Sequence, residues 1–132
     1  MIYEKVIPVE FNHCDPAGIV FYPRYFEMCN SVVENFFADI VEAPFSAIHR
    51  QAGSGVPAVN IQAEFHSPSR LGDKLNFALS VEKLGRSSLE LLIMAKCAAE
   101  KRLSVRITVV WIVNGRAQGW PPDMQKNLAA FI

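Results

Sequence analysis

The chain has 132 residues and 51% of them are hydrophobic, which suits one packed domain over residues 1–132 rather than two. Basic and acidic residues number 13 each, so there is no net charge that would favour nucleic acid or an anionic membrane surface. The three cysteines, Cys14, Cys29 and Cys97, form no Cys-x-x-Cys pair, which argues against a disulfide scaffold or a structural zinc site and favours the reducing cytoplasm.

A β-strand is predicted over residues 2–11. Its apolar side consists of Tyr3, Ile7, Val9 and Phe11, which alternate with Glu4 and Glu10. Lys5 interrupts the apolar side and Pro8 cannot donate a ladder hydrogen bond, so we expect an edge or irregular strand. The segment has no secretory signal pattern, and no run approaches the ~18 apolar residues of a membrane span. A soluble, unprocessed protein is therefore expected.

The stretch Asp15-Pro16-Ala17-Gly18 has the residue preferences of a type I turn, and Pro23 then opens a helical pattern. This turn would hold the Asp15 carboxylate near a helix N-terminus, where unpaired backbone N–H groups polarise a carbonyl and stabilise an oxyanion. Asp15 would then attack the carbonyl carbon as a nucleophile or activate water as a general base. The alternative is that Asp15 only stabilises the turn.

A long helix is predicted from residue 23 to about residue 41, where apolar residues recur at three- and four-residue steps. So wide an apolar face indicates that a sheet wraps around this helix and that the aromatic residues of the helix lie in the core. A shorter helical piece is predicted after Pro44, using Phe45, Ile48 and Ala52, before Gly53-Ser54-Gly55 ends it.

The remaining chain is predicted to form strands with clean alternation of apolar and polar residues, joined by short turns. The apolar positions are Val59, Ile61, Ala63, Phe65; Leu75, Phe77, Leu79, Val81; Leu89, Leu91, Ile93, Ala95; and Leu103, Val105, Ile107, Val109, Trp111. One long helix and about five strands in a meander indicate an α+β fold, a twisted antiparallel β-sheet wrapped around one central helix. Trp120-Pro121-Pro122-Asp123 predicts the start of a short C-terminal helix.

The run Asn12-His13-Cys14-Asp15-Pro16-Ala17-Gly18-Ile19-Val20-Phe21-Tyr22-Pro23, followed by an aromatic-rich helix, resembles the signature of the hotdog-fold acyl-CoA thioesterases, particularly the 4-hydroxybenzoyl-CoA thioesterase type. The resemblance implies the hotdog fold and hydrolysis of an acyl-CoA thioester, with coenzyme A as part of the substrate and no cofactor. It also implies a homodimer or homotetramer with active sites at subunit interfaces. Asp15 would be catalytic, and the backbone N–H of Tyr22 would hold the thioester carbonyl.

The same resemblance assigns Arg86 to the phosphates of coenzyme A, with Ser87 as a weaker hydrogen-bond donor; the alternative is a solvated turn arginine. The expected acyl pocket is apolar and uses Val20, Phe26, Val56 and Val59. Two departures stand out. Gly85 and Ser87 lie where the best-matching members are more basic, and His13 lies where many members have an acidic residue.

Other candidate residues favour no competing chemistry. Cys14 and His13 are adjacent in an extended segment and should point to opposite sides, so a nucleophile–base pair is not expected. His49 and His66 are expected to be solvated, and no metal-ligand spacing is present. Two alternatives to a thioesterase remain open. One is a non-catalytic module that binds acyl thioesters on coenzyme A or on an acyl carrier protein. The other is a hotdog hydratase or dehydratase, which usually has a histidine where this chain has Asp15.

Overall fold

The computed structural model describes residues 1–50 and 53–132 of the chain. Its helices are α1 (Tyr22–Phe36), which continues as a π-helical turn over Phe37–Val41, α2 (Phe45–Ile48) and α3 (Pro122–Phe131). Its strands are β1 (Tyr3–Pro8), β2 (Ser54–Gly55), β3 (Ala58–Phe65), β4 (Lys74–Leu84), β5 (Ser88–Cys97), β6 (Glu100–Val110), β7 (Ile112–Val113) and β8 (Arg116–Ala117). The long early helix, the later strands and the C-terminal helix therefore occur in the predicted order.

Five strands form one antiparallel sheet within the described residues, in the order β1-β4-β5-β6-β3. The edge position predicted for β1 is confirmed. β4, β5 and β6 follow one another as a meander, but β3 pairs with β6 at the far edge. The expectation that all the strands pair in chain order is therefore wrong for β3, because β1 already occupies the free side of β4.

The core lies between this sheet and α1. The buried face of α1 consists of Tyr25, Met28, Cys29, Val32, Val33 and Phe36. The facing strands alternate as predicted, with the buried side chains of β4, β5 and β6 directed at the helix and their partly exposed neighbours on the outer face. Phe36 is fully buried, with the rings of Tyr3, Phe37 and Phe131 around it. A sheet packed on one long helix confirms the predicted α+β arrangement.

Two details differ from the sequence-based expectations. β1 ends at Pro8 because the Val9 N–H bonds to Asp73 O and the chain then turns through a 3-10 helix, Phe11–His13. Phe11 is consequently 84% exposed, so its predicted place on the apolar side of the strand is wrong. The predicted short helix ends at Ile48, and Ala52 lies outside the described residues.

Candidate active site

Residues 13–21 form a small hairpin, called here the Asp15 hairpin, with Asp15 at its turn. Cys14 and Val20 pair as an antiparallel bridge, and the Asp15 N–H donates to Ile19 O over 3.0 Å. The Gly18 N–H donates to Asp15 O over 2.9 Å, which confirms the predicted turn. Gly18 has φ +82°, a conformation that glycine adopts without steric cost.

The Asp15 carboxylate has one engaged oxygen and one available oxygen. Oδ1 accepts the Ala17 N–H over 2.9 Å, as in an Asx turn. Oδ2 accepts no hydrogen bond from the part of the chain that the structure describes, and the residue is partly exposed. Asp15 therefore stabilises its own turn and still presents a free carboxylate oxygen.

The same hairpin delivers the chain to the N-terminus of α1. The Phe21 N–H donates to His13 O over 2.9 Å, so the two ends of the hairpin are joined directly before the helix begins. Tyr22 is the first helical residue and Pro23 the second. No acceptor for the Tyr22 N–H is present among the described residues. This N–H is one of the unpaired donors of a helix N-terminus.

An apolar groove of about 300 Å³ opens beside the hairpin and the helix start. It is lined by Ile19, Val20, Tyr22, Tyr25, Phe65, His66, Ser67 and Pro68. The Phe65 ring stands at its centre, with ring centroids 6.3 Å from Tyr22, 5.9 Å from Tyr25 and 6.3 Å from Phe26. Aromatic and aliphatic walls of this kind suit an apolar group held between the Asp15 hairpin and the start of α1.

A second loop, residues 67–73, holds the hairpin in place and is called here the Ser69 loop. The Val20 N–H donates to Ser69 O over 2.8 Å, and Ile19 pairs with Arg70 as an antiparallel bridge. Ser69 is fully buried, and its Oγ accepts the Tyr25 hydroxyl over 2.9 Å. The hairpin, the loop and α1 therefore meet at Ser69.

Arg102 of β6 anchors the Ser69 loop from the sheet side. Its Nη1 lies 3.1 Å from Pro68 O, 3.2 Å from Ser69 Oγ and 2.7 Å from Asp73 Oδ2. Its Nε lies 2.7 Å from Glu100 Oε1, an ion-pair contact in which the N–H is not aimed at the carboxylate. The hydrogen bond from the Arg70 N–H, followed by that from Arg102, holds the pKa of Asp73 below its ordinary value.

Comparison with known proteins places the chain in a family. The family model of the Thioesterase-like superfamily matches residues 9–128. The chain belongs to this superfamily. A 4-hydroxybenzoyl-CoA thioesterase from Pseudomonas sp. (strain CBS-3) is 30% identical over 81 residues, which are 61% of this chain and 57% of that protein. A 1,4-dihydroxy-2-naphthoyl-CoA hydrolase from Prochlorococcus marinus is 28% identical over 99 residues, 70% of this chain and 66% of that protein. The matches thus span about three fifths of the length of these curated relatives.

Solved structures agree on the fold. A 1,4-dihydroxy-2-naphthoyl-CoA thioesterase from Synechocystis superposes with a TM-score of 0.90 at 17% identity, over 98% of this chain and 96% of that one. A gentisyl-coenzyme A thioesterase superposes with a TM-score of 0.86 at 24% identity, over 94% of this chain and 98% of that one. At these identities the likeness shows the fold, which is the predicted hotdog arrangement of the superfamily.

The residues predicted for the superfamily site fall into two groups in this chain. Asp15, Tyr22, Val20 and Phe26 lie at the hairpin end, where Val20 lines the groove and Phe26 packs on Phe65. Val56, Val59, Arg86 and Ser87 lie at the opposite end of the sheet. The hairpin contacts the loop that leads into the first residue of β4, Lys74, whereas Arg86 comes just after its last residue, Leu84. The eleven-residue β4 therefore separates the hairpin from Arg86 by roughly 33 Å. One copy of the chain does not bring the two groups together.

Arg86 does lie on the predicted tight turn between β4 and β5. The Gly85 N–H donates to Ser88 O over 2.9 Å, and the Arg86 side chain is exposed. The backbone is fixed by the Trp120 N–H, which donates to Arg86 O over 3.0 Å, and by the Trp111 N–H, which donates to Ser87 O over 2.8 Å. The backbone of this turn is therefore held by hydrogen bonds, while the Arg86 guanidinium is exposed to solvent.

Tyr25, Phe65 and Ser69 were not predicted as site residues. Tyr25 and Phe65 follow the apolar periodicity of their helix and strand, so the pattern assigned them only to the core. Tyr25 had one available signal, its position three residues after Tyr22 at the helix start, whereas Phe65 had none because its strand end meets α1 only through the fold. Ser69 had no such signal, since its role depends on a backbone carbonyl and a buried hydroxyl in a loop.

The other nucleophile and metal candidates are not directed at Asp15. His13 Nδ1 accepts the Glu10 N–H over 2.9 Å, and Cys14 Sγ lies 3.7 Å from Glu10 O. Burial raises the pKa of the Cys29 thiol to about 12, so this cysteine is protonated near neutral pH. In residues 1–50 and 53–132, no cluster of three metal-ligating side chains is found. No helix in those ranges has the length and apolar character of a membrane span.

Proposed function

We propose that this protein is an acyl-CoA thioesterase that hydrolyses an acyl thioester to the free acid and coenzyme A. The observation that carries the proposal is that Asp15 Oδ2 and the Tyr22 N–H, both without a hydrogen-bond partner among the described residues, lie on one short segment. The hydrogen bond from the Phe21 N–H to His13 O closes this segment, and Tyr22 also lines the apolar groove. Family membership and the activities named for the relatives support the same reaction class.

The geometry suggests how this reaction would proceed. The Tyr22 N–H and the partial positive charge of the α1 N-terminus would polarise the thioester carbonyl and stabilise the developing oxyanion. Asp15 would either attack the carbonyl carbon, giving an anhydride that water then cleaves, or remove a proton from the attacking water. In both routes the carbon–sulfur bond breaks and the sulfur leaves as the coenzyme A thiolate, which takes up a proton that comes from water; water also supplies the acid oxygen. Neither route requires a cofactor.

The proposed acyl group is aromatic. Tyr22, Tyr25 and Phe65 line the groove, and rings pack favourably in offset or edge-to-face geometry, which supports this choice. The relatives' names point the same way, since both name aromatic acyl-CoA substrates. The nucleotide end of coenzyme A would be held by the Arg86 turn, with Ser87 as a weaker donor.

The proposed active unit is a homodimer joined through the free edge of β3. Val59, Ile61 and Phe65 are large apolar residues exposed on this edge strand, at 60%, 47% and 51% respectively. An unpaired apolar edge favours pairing with another strand. If β3 pairs antiparallel with its copy, the Phe65 end of one strand meets the Ala58 end of the other. Val59 of the partner subunit and Arg86 of the partner subunit would then approach Asp15, so the two separated groups would form one site.

Free-thiol release from aromatic, short-chain and long-chain acyl-CoAs tests the proposal. Asp15→Asn keeps an oxygen that accepts the Ala17 N–H, so the fold should persist while hydrolysis falls ~10²-fold or more, the usual scale of general acid–base catalysis. Asp123→Asn, an exposed carboxylate in α3, serves as the matched control. Wild-type activity should survive treatment with EDTA. Acyl-CoA binding without turnover by the wild type would instead indicate a binding module.

A further inference from the structure

We propose that Arg102 is a positioning residue that fixes the Asp15 hairpin relative to α1 through the Ser69 loop. The proposal rests on the roles assigned above to Asp15 and the Tyr22 N–H. Arg102 belongs to the sheet, and its side chain is only 12% exposed. Its Nη1 reaches two successive residues of the loop, Pro68 and Ser69, and also the carboxylate of Asp73.

The connection from Arg102 to Asp15 is short and continuous. Arg102 Nη1 contacts Ser69 Oγ, Ser69 O accepts the Val20 N–H, and the neighbouring Ile19 O accepts the Asp15 N–H. Each link joins a different segment, from β6 to the loop, from the loop to the hairpin, and across the hairpin. Asp15 therefore has its position set from the sheet and not only by its own turn.

A second connection reaches the other half of the proposed site. The Tyr25 hydroxyl donates to the same Ser69 Oγ, and Tyr25 lies one turn after Tyr22 in α1. Ser69 is therefore a common reference point for the carboxylate of Asp15 and for the helix N-terminus. Arg102 holds this reference point and is itself bonded to Asp73, the last residue of the same loop.

The expected consequence concerns the chemical step more than substrate binding. The two groups act on one carbonyl and must both lie within about 3 Å of reacting atoms, and a 1 Å misplacement costs on the order of 10²-fold in rate. The Arg102 side chain bonds to one groove-lining residue, Pro68, through its carbonyl oxygen, whereas the aromatic walls Tyr22 and Phe65 belong to α1 and β3. Loosening the Ser69 loop should therefore lower kcat and leave KM nearly unchanged.

The matched control is Arg106, which lies four residues further along the same strand. Arg106 is exposed and pairs with Glu82 over 3.2 Å, away from the loop. Arg102→Gln and Arg106→Gln remove the same charge from β6. Tyr25→Phe removes only the hydroxyl that bonds to Ser69 Oγ. Arg102→Lys keeps the charge, but one ammonium group does not reproduce the guanidinium geometry.

We expect Arg102→Gln and Tyr25→Phe to lower kcat about tenfold or more with KM within about threefold of wild type, since misplacement acts on the chemical step. Arg106→Gln should match wild type, and Arg102→Lys should lie between Arg102→Gln and wild type. Equal kcat for folded Arg102→Gln and Arg106→Gln would overturn the proposal. If Arg102→Gln does not fold, the kcat of Tyr25→Phe tests the proposal instead. A wild-type kcat in Tyr25→Phe would overturn the proposal.

Hydrogen exchange at the Val20 amide separates this proposal from the proposed function. If the wild type hydrolyses no acyl-CoA, the proposed function fails, but the anchoring is still measured. Faster exchange at Val20 in Arg102→Gln than in Arg106→Gln would support it, because the Val20 N–H donates to Ser69 O. Equal exchange rates in the two variants would overturn it.

Discussion

The Phe21 N–H donates to His13 O over 2.9 Å, and this one hydrogen bond closes the Asp15 hairpin at the residue before α1. The carboxylate of Asp15 and the N–H of Tyr22 are thereby fixed on one short closed segment. Neither group is positioned by the rest of the sheet alone. The geometry of the hairpin turn should therefore affect catalysis as well as stability.

Gly18→Ala tests this dependence. Gly18 has φ +82°, and within the described part of the chain an added Cβ would meet only Arg70 Nη1, 4.0 Å away, so the cost comes from the backbone. We expect a loss of about 1–2 kcal/mol in the free energy of unfolding, the usual penalty for a left-handed alanine. Thiol-release kinetics should show a clear loss of kcat as the Asp15 turn shifts.

Gly115→Ala calibrates the result. Gly115 has φ +77° in the turn between β7 and β8, and no atom of residues 1–50 or 53–132 lies within 4 Å of the added Cβ. The free energy of unfolding of the Gly115→Ala variant should fall by about the same 1–2 kcal/mol. The loss of kcat should be larger in Gly18→Ala than in Gly115→Ala. Equal losses of kcat would show that the hairpin turn has no special part in catalysis.

The edge of β3 provides a prediction about assembly. Ile61→Lys places a charge on the exposed apolar edge and should shift the protein toward monomer, because lysine on an edge strand opposes strand pairing. Light scattering after gel filtration measures the mass, and hydrolysis should fall together with the dimer. Val6→Lys, on the exposed side of the opposite edge strand β1, should keep the wild-type mass. A dimer that survives Ile61→Lys and dissociates in Val6→Lys would place the interface at β1.

The sequence predicts the elements well because each one follows a single local periodicity. Leu75, Phe77 and Leu79 alternate with polar or small residues, so only one face of their strand can be the buried face. All three side chains are fully buried in the structure. Strand order is different, because it depends on which edges remain free. The pairing of β3 with β6 follows from β1 occupying the edge of β4, and no local pattern reports it.

The residues of the candidate site also divide into those that local sequence predicts and those that only the fold brings together. Asp15, the turn and the helix start lie within one contiguous motif, so spacing and resemblance were sufficient to find them. Phe65, Ser69 and Arg102 are distant in sequence from that motif and reach it only through the fold. Periodicity assigns a residue to a face of a strand but not to the neighbours at its end. For this reason the sequence predicts Val59 in one acyl pocket with Val20 and Phe26, although a single chain separates Val59 from them by most of a strand.

Phe65 should control how the groove accepts an acyl group. Phe65→Ala removes the ring that packs against Tyr22, Tyr25 and Phe26 and enlarges the groove. An aromatic pair contributes ~0.5–1.5 kcal/mol, so kcat/KM for an aromatic acyl-CoA should fall about tenfold. Phe65→Leu, which keeps much of the volume without the ring, should lose less with an aliphatic acyl-CoA than with an aromatic one. An equal loss for both substrates would show that the ring does not select the acyl group.

The Asp73–Arg102 pair predicts a pH dependence of stability. The Arg70 N–H and Arg102 lower the pKa of Asp73 in the folded state, so the unfolded chain binds this proton more readily. The contribution of Asp73 to the free energy of unfolding is therefore full above its ordinary pKa of about 3.9 and is lost as pH falls through the lower folded-state pKa. Asp73→Asn should destabilise the protein at pH 7 and have a smaller effect at low pH.

Urea unfolding across the acid range measures this difference. The stability gap between wild type and Asp73→Asn should narrow below about pH 4, where the carboxyl of the unfolded chain is protonated. Glu82→Gln is the control, because its 3.2 Å ion pair with Arg106 is exposed and such pairs contribute only about 0–1 kcal/mol. A gap for Asp73→Asn that stays constant from pH 7 down through the acid range would contradict the assignment. The Asp73 carboxylate would then not be the charged anchor that Arg102 requires.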